Sequence, residues 1–382
     1  MKSPMLTKSY KFSQNQWSEP FDPSMDSEST MILVFFESTL IIDKHLKNLK
    51  DVFPKSKILG SSTSGEIQNG EINDDSIVCT VVKFTHTRLK LISTPINFET
   101  SAEVGRSISE SLASAELKNI LLLTEGLDID GSDLIKEMHK SLVAKNINVP
   151  ISGGLAGDGN RFTNTFVIFG TEVKTRHAVA LGFYGDHIQV FAGTGTGWDP
   201  FGPPRVVTKA ARNTVYEIDG VPALKLYREY LKSDAKNLPV SGVLFPLGVS
   251  WGKNENIVRS VSQIDEANNG LIFASRIPEN TKVQLMHSNV VKLIEAAKHV
   301  LDNCHLDFTN GAPTLAIIVS CIGRRMIMGQ KTEDEIEIIR DRLPIHTEIC
   351  GFYSYGEFAP TSNQQNDLHN QTMTLIVFQE NH

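Results

Sequence analysis

Three stretches of the chain share one order of apolar and polar positions. Each begins with an uninterrupted apolar run, at 32–36, 120–123 and 315–319, followed by a helical pattern and a second apolar run that ends in glycine. Uninterrupted apolar runs predict strands buried on both faces, as in parallel sheets, and the helical patterns predict connecting helices. Thr332 and Glu335 open the third helix with a capping-box pattern. The chain is therefore expected to be an α/β protein of repeated strand–helix–glycine-loop units.

Segments of alternating apolar and polar residues lie between these units, for example at 76–84 and 178–183. Such alternation predicts antiparallel strands that pack beside the parallel elements. The expected fold therefore has mixed sheets with added antiparallel strands.

The length of the chain predicts two domains. Its 382 residues exceed what one hydrophobic core usually serves. A turn at 217–220 predicts the boundary, which gives an N-terminal domain at 29–217 and a C-terminal domain at 218–382. Residues 1–28 are polar and rich in serine, and they predict a flexible N-terminal arm or an extension at a sheet edge.

The glycine-rich segments carry the candidate chemistry. Residues 60–66 (GSSTSGE) and 351–357 (GFYSYGE) place Gly, a hydroxyl, Gly and Glu at identical offsets. Residues 153–159 (GGLAGDG) form a third version with Asp158 in place of the glutamate. Such loops offer backbone N–H groups, hydroxyls and a carboxylate to a ligand. Tight turns in which the glutamate caps a helix or pairs with arginine explain the same pattern, so both interpretations stay open.

Composition excludes some classes of function. A formal net charge of −7, without a Lys/Arg run longer than two residues, disfavours nucleic-acid binding. No stretch approaches the roughly 18 apolar residues of a membrane span, and the N-terminus lacks the apolar region of a signal peptide. The four cysteines form no C-x-x-C pair and predict buried thiols in a reducing compartment. A cytoplasmic location is therefore expected.

Common catalytic motifs are absent from the sequence. There is no phosphate-binding G-x-x-x-x-G-K-[ST], no H-E-x-x-H and no G-x-S-x-G. We therefore do not expect an enzyme and assign no catalytic residue. An enzyme acting on a small substrate, with Ser354 or Cys350 as nucleophile, is the alternative.

Several segments together resemble the FIST family of sensory domains. GSSTSGEI, GGLAGDGNRFTNTFVIFG and HAVALGFYGDHIQVFAGTGTGWDPFGPPRVVTKA are similar to its N-terminal half. VYEIDGVPA, SCIGRRMIMGQKTEDE and GFYSYGEFAP are similar to its C-terminal half, so the resemblance covers roughly residues 30–378. Members are regarded as sensors of small ligands, often proposed to be amino acids, that regulate signalling proteins. The resemblance implies a cytoplasmic small-ligand sensor of a bacterial signal-transduction system.

The chain also resembles standalone members of the family, which include haem-based nitric oxide sensors of two-component systems. That resemblance implies a partner histidine kinase or another signalling protein, with a homodimer as one candidate assembly. Haem b is the candidate cofactor, with His287 as the candidate iron ligand and His177 as the alternative. An amino-acid sensor without haem is the other hypothesis.

Relatives more often carry Ala where this chain has Ser64. Transfer of the family's motifs assigns these ligand-binding residues: Gly60, Ser61, Ser62, Thr63, Glu66, Gly154, Asp158, Arg324, Tyr353, Ser354, Tyr355 and Glu357.

Overall fold

The chain forms three copies of one structural unit, and a further domain is inserted into the third copy. The computed structural model describes residues 4–251, 255–304, 306, 314–361 and 364–381. Unit 1 contains β1 (Met5–Ser13), β2 (Gln16–Trp17), β3 (Thr30–Glu37), α1 (Asp43–Val52), β4 (Lys57–Thr63), β5 (Glu66–Gln68), β6 (Glu71–Asn73) and β7 (Ile77–Phe84). Unit 2 contains β8 (Arg88–Pro95), α2 (Ser101–Leu112), β9 (Leu117–Thr124), α3 (Gly131–Val143), β10 (Ile151–Leu155), β11 (Val167–Phe169), β12 (Glu172–Lys174) and β13 (His177–Tyr184).

Unit 3 is interrupted after its first strand, β14 (Ile188–Gly195). Residues 199–287 form the inserted domain: β15 (Asp199–Ala211), β16 (Thr214–Ile218), β17 (Val221–Pro222), α4 (Ala223–Leu231), α5 (Val240–Val243), β18 (Leu247–Trp251), β19 (Glu255–Arg259), β20 (Val261–Asp265), β21 (Gly270–Phe273) and β22 (Lys282–His287). Unit 3 then continues with α6 (Val290–Cys304), β23 (Thr314–Cys321), α7 (Ile322–Met328), α8 (Thr332–Arg342), β24 (Glu348–Ser354), β25 (Gly356–Pro360), β26 (Asn366–His369) and β27 (Met373–Glu380). Short 3-10 helices lie at Pro23–Met25, Lys232–Asn237 and Gly329–Lys331.

The three units have the same strand order. Each sheet contains a parallel pair, and two antiparallel strands follow it: β4–β3–β7–β1, β10–β9–β13–β8 and β24–β23–β27–β14. A helix connects the strands of each parallel pair, namely α1, α3 and, together with the short α7, α8. The repeated units and mixed sheets predicted from the sequence are confirmed.

Each unit completes the sheet of another unit. The hairpin β5–β6 of unit 1 pairs with β24 of unit 3, and β11–β12 of unit 2 pairs with β4 of unit 1. The hairpin β25–β26 of unit 3 pairs with β10 of unit 2. The three exchanges close a cycle, so the units form a quasi-threefold arrangement in which none has a complete sheet alone.

The three sheets enclose one apolar core. Along β3, Leu33 and Phe35 face this core together with Leu123 of unit 2 and Val319 of unit 3. The rings of Phe35 and Phe352 stack there with centroids 4.6 Å apart. The alternate residues of β3 pack under α1, while α2 and α3 cover the second sheet and α6 and α8 the third. Strands buried on both faces explain why the apolar runs show no alternation.

The two boundaries expected from the sequence have definite places in the structure. Residues 5–12 pair with β7 along the edge of the first sheet, and Tyr10 is buried, so this segment is the edge extension rather than a flexible arm. The expected boundary at 217/218 falls at the end of β16, inside the inserted domain. Unit 3 takes its first strand from residues before that boundary, because β14 pairs with β27.

One glycine in each unit permits the close approach of the two parallel strands. A Cβ atom built on it would overlap the carbonyl oxygen of the neighbouring strand. The three pairs are Gly60 with Val34, Gly153 with Leu122 and Gly351 with Ile318. Backbone atoms in a sheet cannot move aside as the end of a long side chain can, so each position requires glycine.

We predict that Gly60→Ala lowers the free energy of unfolding by at least the 1–3 kcal/mol that is typical of overpacking. Gly202→Ala is the control, because no atom lies within 4 Å of a Cβ at that position and its φ is +71°. The control should lose about 1 kcal/mol through backbone strain alone. Urea denaturation followed by circular dichroism measures both, and equal losses would contradict the close-approach argument.

Candidate functional site

The three glycine loops meet at the quasi-threefold axis. In each loop, the backbone N–H four residues after the close-approach glycine donates to a carbonyl of the next loop. The bonds join Ser64 N to Tyr353 O (2.8 Å), Gly157 N to Ser62 O (3.0 Å) and Tyr355 N to Leu155 O (3.3 Å). These three bonds form a closed cycle, which we call the central ring.

Units 1 and 3 contain a buried carboxyl group beside the central ring. Two hydroxyl groups donate to each carboxyl: those of Thr63 and Ser76 (2.6 Å) to Glu66, and those of Ser354 (2.6 Å) and Thr372 (2.7 Å) to Glu357. Burial raises the pKa of both carboxyl groups to about 8, which keeps them protonated at neutral pH. Their polar atoms are satisfied within the fold.

Unit 2 departs from this arrangement. Val167 pairs with Ser61 of β4, and Glu66 pairs with Phe352 of β24. Ser61 and Phe352 each follow the close-approach glycine of their unit, so Val167 occupies in unit 2 the place that Glu66 occupies in unit 1. Asp158, which the sequence pattern places at the glutamate position, lies instead in an insertion at 158–165. The insertion precedes β11 and has no counterpart in the other units, where at most one residue separates the ring residue from the next strand.

Asp158 folds this insertion. Its carboxylate accepts backbone N–H groups from Phe162, Thr163 and Asn164 at 2.9 Å each, and the hydroxyl of Tyr355 also donates to it. Burial opposes ionisation, but the bonds from Asn164, Tyr355 and Thr163 prevail and lower the pKa of Asp158. The folded insertion places the ring of Phe162 on that of Tyr355, with centroids 4.5 Å apart and planes 16° apart.

A cavity of about 210 Å³, here the central cavity, lies between this face of the units and the inserted domain. One side is formed by the loop after β9, at residues 126–128, and by the junction of β23 with α7, at residues 321–323, together with Phe162 and Tyr355. Ligands commonly bind at the carboxyl ends of parallel strands in α/β proteins. The other walls contain Phe98, Arg212, Asn213, Val243, Ser260, Val261, Ser262, Gln263, Ile272, Phe273 and Ala274.

Charges of opposite sign line the central cavity. Arg212 forms an ion pair with Glu99 at 3.0 Å, and its guanidinium lies 4.4 Å from the ring centroid of Phe98. Asp128 lies on the facing loop, 3.9 Å from Arg176. All four charged side chains are partly or largely exposed, so these pairs are weak and a ligand can replace them.

Two buried residues shape the cavity walls from behind. The Glu125 carboxylate accepts the N–H groups of Leu127 (3.0 Å) and Asp128 (2.7 Å), which holds the loop after β9 in place. The Gln371 amide donates to the Val243 carbonyl (2.8 Å) and the Ser260 hydroxyl (2.9 Å) of the inserted domain. Gln371 has a φ of 63°, an uncommon conformation for a residue other than glycine.

Two arginines, one buried and one exposed, dock the inserted domain on the repeated units. The guanidinium of Arg259 is fully buried and donates to Ser132 Oγ (3.0 Å) and to the carbonyl of Leu368 (2.9 Å). Arg276 pairs with Asp130 at 3.2 Å. The contacts with Ser132 and Asp130 lie at the start of α3, and the contact with Leu368 lies in β26.

The structure brings the predicted loop residues together, but it turns most of them away from the cavity. Tyr355 lines the central cavity. Ser62 Oγ donates to the Gly157 carbonyl at 2.8 Å and accepts the N–H of Phe166 at 2.9 Å, so it supports the central ring. Gly154 lies within β10, and Ser61 has a buried hydroxyl without a hydrogen-bond partner among the described atoms.

Arg324 and Tyr353 belong to a buried ion-pair network in unit 3. Arg324 donates to Glu335 at 2.8 Å, and the Tyr353 hydroxyl donates to the other oxygen of the same carboxylate at 2.8 Å. Arg324 also donates to the carbonyls of Thr196 (2.8 Å) and Leu293 (2.9 Å). Glu335 is therefore not part of a capping box, and the Thr332 hydroxyl donates to the Gly329 carbonyl instead.

The two candidate haem ligands lie outside the central cavity. His287 ends β22, with its ring centroid 5.8 Å from that of Phe201. His177 begins β13 and lines a surface groove of about 530 Å³ with Ile96 and Val104. Across the described ranges, no group of three or more His, Cys, Asp or Glu side chains is arranged to hold a metal ion.

Sequence reasoning missed several residues that line the central cavity or support its walls. Glu125 follows the apolar run at 120–123, and its place at a strand end was a usable signal. Arg212, Phe98 and Gln371 carried no such signal, since they come from segments far apart in the chain.

All four cysteines are free and buried, as expected. No helix within the described part of the chain has the length and apolar character needed to span a membrane.

Comparison with known proteins identifies the family. Residues 30–221 match the FIST N domain and residues 223–360 match the FIST C domain, so the chain belongs to the FIST family. The two family models meet within a few residues of the boundary predicted at 217/218. FIST domains are sensor domains of signal transduction that bind small ligands and act with signalling partners.

Two individual proteins are similar to the chain. A protein of Methanocaldococcus jannaschii, described as uncharacterized, is 25% identical in an alignment of 372 residues that covers 85% of this chain and 69% of that protein. A crystal structure of cyanuric acid hydrolase from A. caulinodans is 11% identical, covering 78% of this chain and 100% of that one, with a TM-score of 0.20. A likeness that loose carries no inference about chemistry.

The buried carboxyl groups predict a stability that falls as pH rises. The pKa of Glu66 and of Glu357 in the folded state, about 8, lies above the ordinary value of 4.5. Between these pH values the folded state retains protons that the unfolded state has lost, so the stabilisation is complete below about pH 4.5 and is lost through about pH 8.

We predict that the double variant Glu66→Gln, Glu357→Gln flattens this decline, because glutamine stays neutral at every pH. The wild-type slope approaches about 1.4 kcal/mol per pH unit for each group. Urea denaturation between pH 5 and 9 measures it, with the exposed Glu110→Gln as control. The argument fails if wild type and double variant lose stability in parallel.

Proposed function

We propose that this protein is a small-ligand sensor whose ligand binds in the central cavity. The observation that carries the proposal is that two separate bodies form the walls: the strand-end loops of the units and the inserted domain. A ligand that contacts both bodies favours the docked arrangement over any arrangement in which they separate. Such a difference in contacts is what a sensor requires.

The size and charges of the cavity favour an amino acid. Its volume of about 210 Å³ lies below the roughly 300 Å³ at which pockets for drug-sized ligands begin. Arg212 suits a carboxylate, and Asp128 on the facing loop suits an ammonium group. A zwitterion of amino-acid size satisfies both charges.

The sensor acts, in this proposal, on a partner histidine kinase of a bacterial two-component system in the cytoplasm. Ligand binding shifts the population of docked and undocked inserted domain, and the kinase binds one of the two states. The docking contacts of Arg259 and Arg276 lie beside the cavity, which supports a direct coupling between ligand and domain position.

The enzyme alternative has weaker support. The Ser354 hydroxyl is buried and donates to the neutral Glu357 carboxyl, so no general base activates it. Cys350 is also buried, and burial raises the pKa of its thiol to about 12. A nucleophilic cysteine needs an accessible thiolate, which this environment disfavours.

We predict that at least one proteinogenic amino acid, at saturating concentration, raises the Tm of the protein. Differential scanning fluorimetry with each of these amino acids in turn measures the shift. A ligand at one hundred times its Kd stabilises the folded state by about 2.7 kcal/mol. Ala274→Phe fills the central cavity and should abolish the shift. Ala267→Phe, in an exposed turn of the same domain, should retain it.

Two results would count against this assignment. If no amino acid shifts the wild-type Tm, the amino-acid hypothesis fails. If Ala274→Phe retains the shift, the ligand binds elsewhere.

A haem-based nitric oxide sensor is the second candidate, and the geometry of His177 favours it. Nδ1 of His177 lies 2.8 Å from the Thr175 carbonyl. If Nδ1 carries the proton and donates it to that carbonyl, Nε2 has the free lone pair that haem iron requires. The groove at His177 is also larger than the central cavity, whose lining contains no histidine. Bound haem b would supply an iron that binds nitric oxide, and His287 remains the other candidate ligand.

For this candidate we predict that protein expressed with added haem shows a Soret band that moves when nitric oxide is added. His177→Ala should abolish the band and His287→Ala should leave it unchanged. An absorbance spectrum of each purified protein measures this. Colourless wild-type protein would rule strongly against haem.

A further inference from the structure

Four aromatic side chains line the central cavity: Phe98, Phe162, Phe273 and Tyr355. Resting on the proposed function, we propose that the ligand carries a planar aromatic ring, which stacks on Phe162 and Tyr355, and a carboxylate, which pairs with Arg212. An aromatic amino acid is the simplest compound of this class. Ring stacking and charge pairing then act at two ends of one small molecule.

The stacked pair presents a flat and rigid surface. The planes of Phe162 and Tyr355 differ by 16° and their centroids are 4.5 Å apart, close to a parallel stack. Polar groups hold the Tyr355 hydroxyl from several sides, because it donates to Asp158, accepts the N–H of Phe162 (3.3 Å) and lies 3.0 Å from the Gly159 carbonyl oxygen. A third planar ring can extend such a stack with little loss of side-chain entropy.

The stacked pair exists because unit 2 departs from the repeat. Phe162 belongs to the insertion at 158–165, and Asp158 folds that insertion toward Tyr355 of unit 3. Unit 2 gives up the buried hydroxyl-and-carboxyl arrangement of the other units and places an aromatic ring on the cavity instead. The departure from the repeat is therefore located where a ligand would bind, which favours a role in recognition.

Arg212 is oriented to receive a carboxylate. The face of Phe98 supports its guanidinium at 4.4 Å, and the N–H edge of the guanidinium forms the pair with Glu99 at 3.0 Å. Its partner Glu99 is 70% exposed and Arg212 itself is 56% exposed. Exposed pairs of this kind contribute little, so a ligand carboxylate that is held in the cavity can replace Glu99. Paired N–H donors of arginine bind carboxylates in two-point fashion.

The test compares compounds that differ in one property, using isothermal titration calorimetry on the full chain. Phenylalanine and cyclohexylalanine have the same skeleton, but only the first has an aromatic ring. We expect phenylalanine to bind about 5- to 10-fold more tightly than cyclohexylalanine. Phenylalanine should also bind at least tenfold more tightly than phenylalanine amide, which lacks the carboxylate.

Matched variants locate the two contacts. Phe162→Leu should reduce the preference for phenylalanine over cyclohexylalanine, whereas Phe201→Leu, at a half-exposed position of the inserted domain, should leave it unchanged. Arg212→Gln should remove the preference for phenylalanine over its amide. Arg228→Gln, in the exposed pair with Glu266, should leave that preference intact.

The outcomes separate this inference from the proposed function. If leucine or cyclohexylalanine binds as tightly as phenylalanine, the aromatic class is wrong and the amino-acid sensor stands. If no amino acid binds, both are wrong. If Phe162→Leu does not fold, as judged by circular dichroism, the comparison of phenylalanine with cyclohexylalanine on the wild type decides alone.

Discussion

The closed cycle of three backbone hydrogen bonds at the axis is the constraint on which the rest of this structure depends. Each unit gives one N–H and one carbonyl to the central ring, and each then passes its hairpin to the sheet of a neighbour. A close-approach glycine in every unit lets the strands come near enough for this geometry. Because no unit has a complete sheet of its own, the loops cannot move separately without breaking pairing in two sheets. The result is a rigid face of the three units, which forms one wall of the candidate ligand site.

The candidate site arises where the repetition fails. Units 1 and 3 fill the space beside the central ring with a neutral glutamic acid held by two hydroxyl groups, an arrangement that serves the fold. Unit 2 replaces it with Val167 and an insertion that brings Phe162 onto Tyr355. The inserted domain then supplies the opposite wall, including Arg212. Three similar units therefore give one asymmetric cavity, and its asymmetry is what permits recognition of one orientation of a small ligand.

The local pattern of the sequence predicted the repeats well, because the apolar runs of buried strands and the glycines at their ends are contiguous in the chain. The same pattern did not predict contacts between residues that are distant in the chain. Glu335 reads as part of a helix cap beside Thr332, yet it pairs with Arg324 and Tyr353, since a buried arginine needs a carboxylate more than a helix end does. The polar segment at the N-terminus is compatible with a flexible arm or an edge extension, and only the pairing of residues 5–12 with β7 shows that it is the extension.

The sequence by itself determined the α/β class, the three strand–helix–glycine-loop units and the membership of a sensory family, because periodicity and short motifs are local properties of the chain. The tertiary structure alone decided which loop side chains face a cavity. From the sequence, Glu66, Ser354 and Glu357 are candidate ligand contacts. In the fold, hydrogen bonds between hydroxyl and carboxyl groups satisfy their polar atoms. Phe98, Arg212, Phe162 and Tyr355 are far apart in the chain and meet only when the units close and the inserted domain docks. Such a meeting depends on packing between distant segments, which no local pattern encodes.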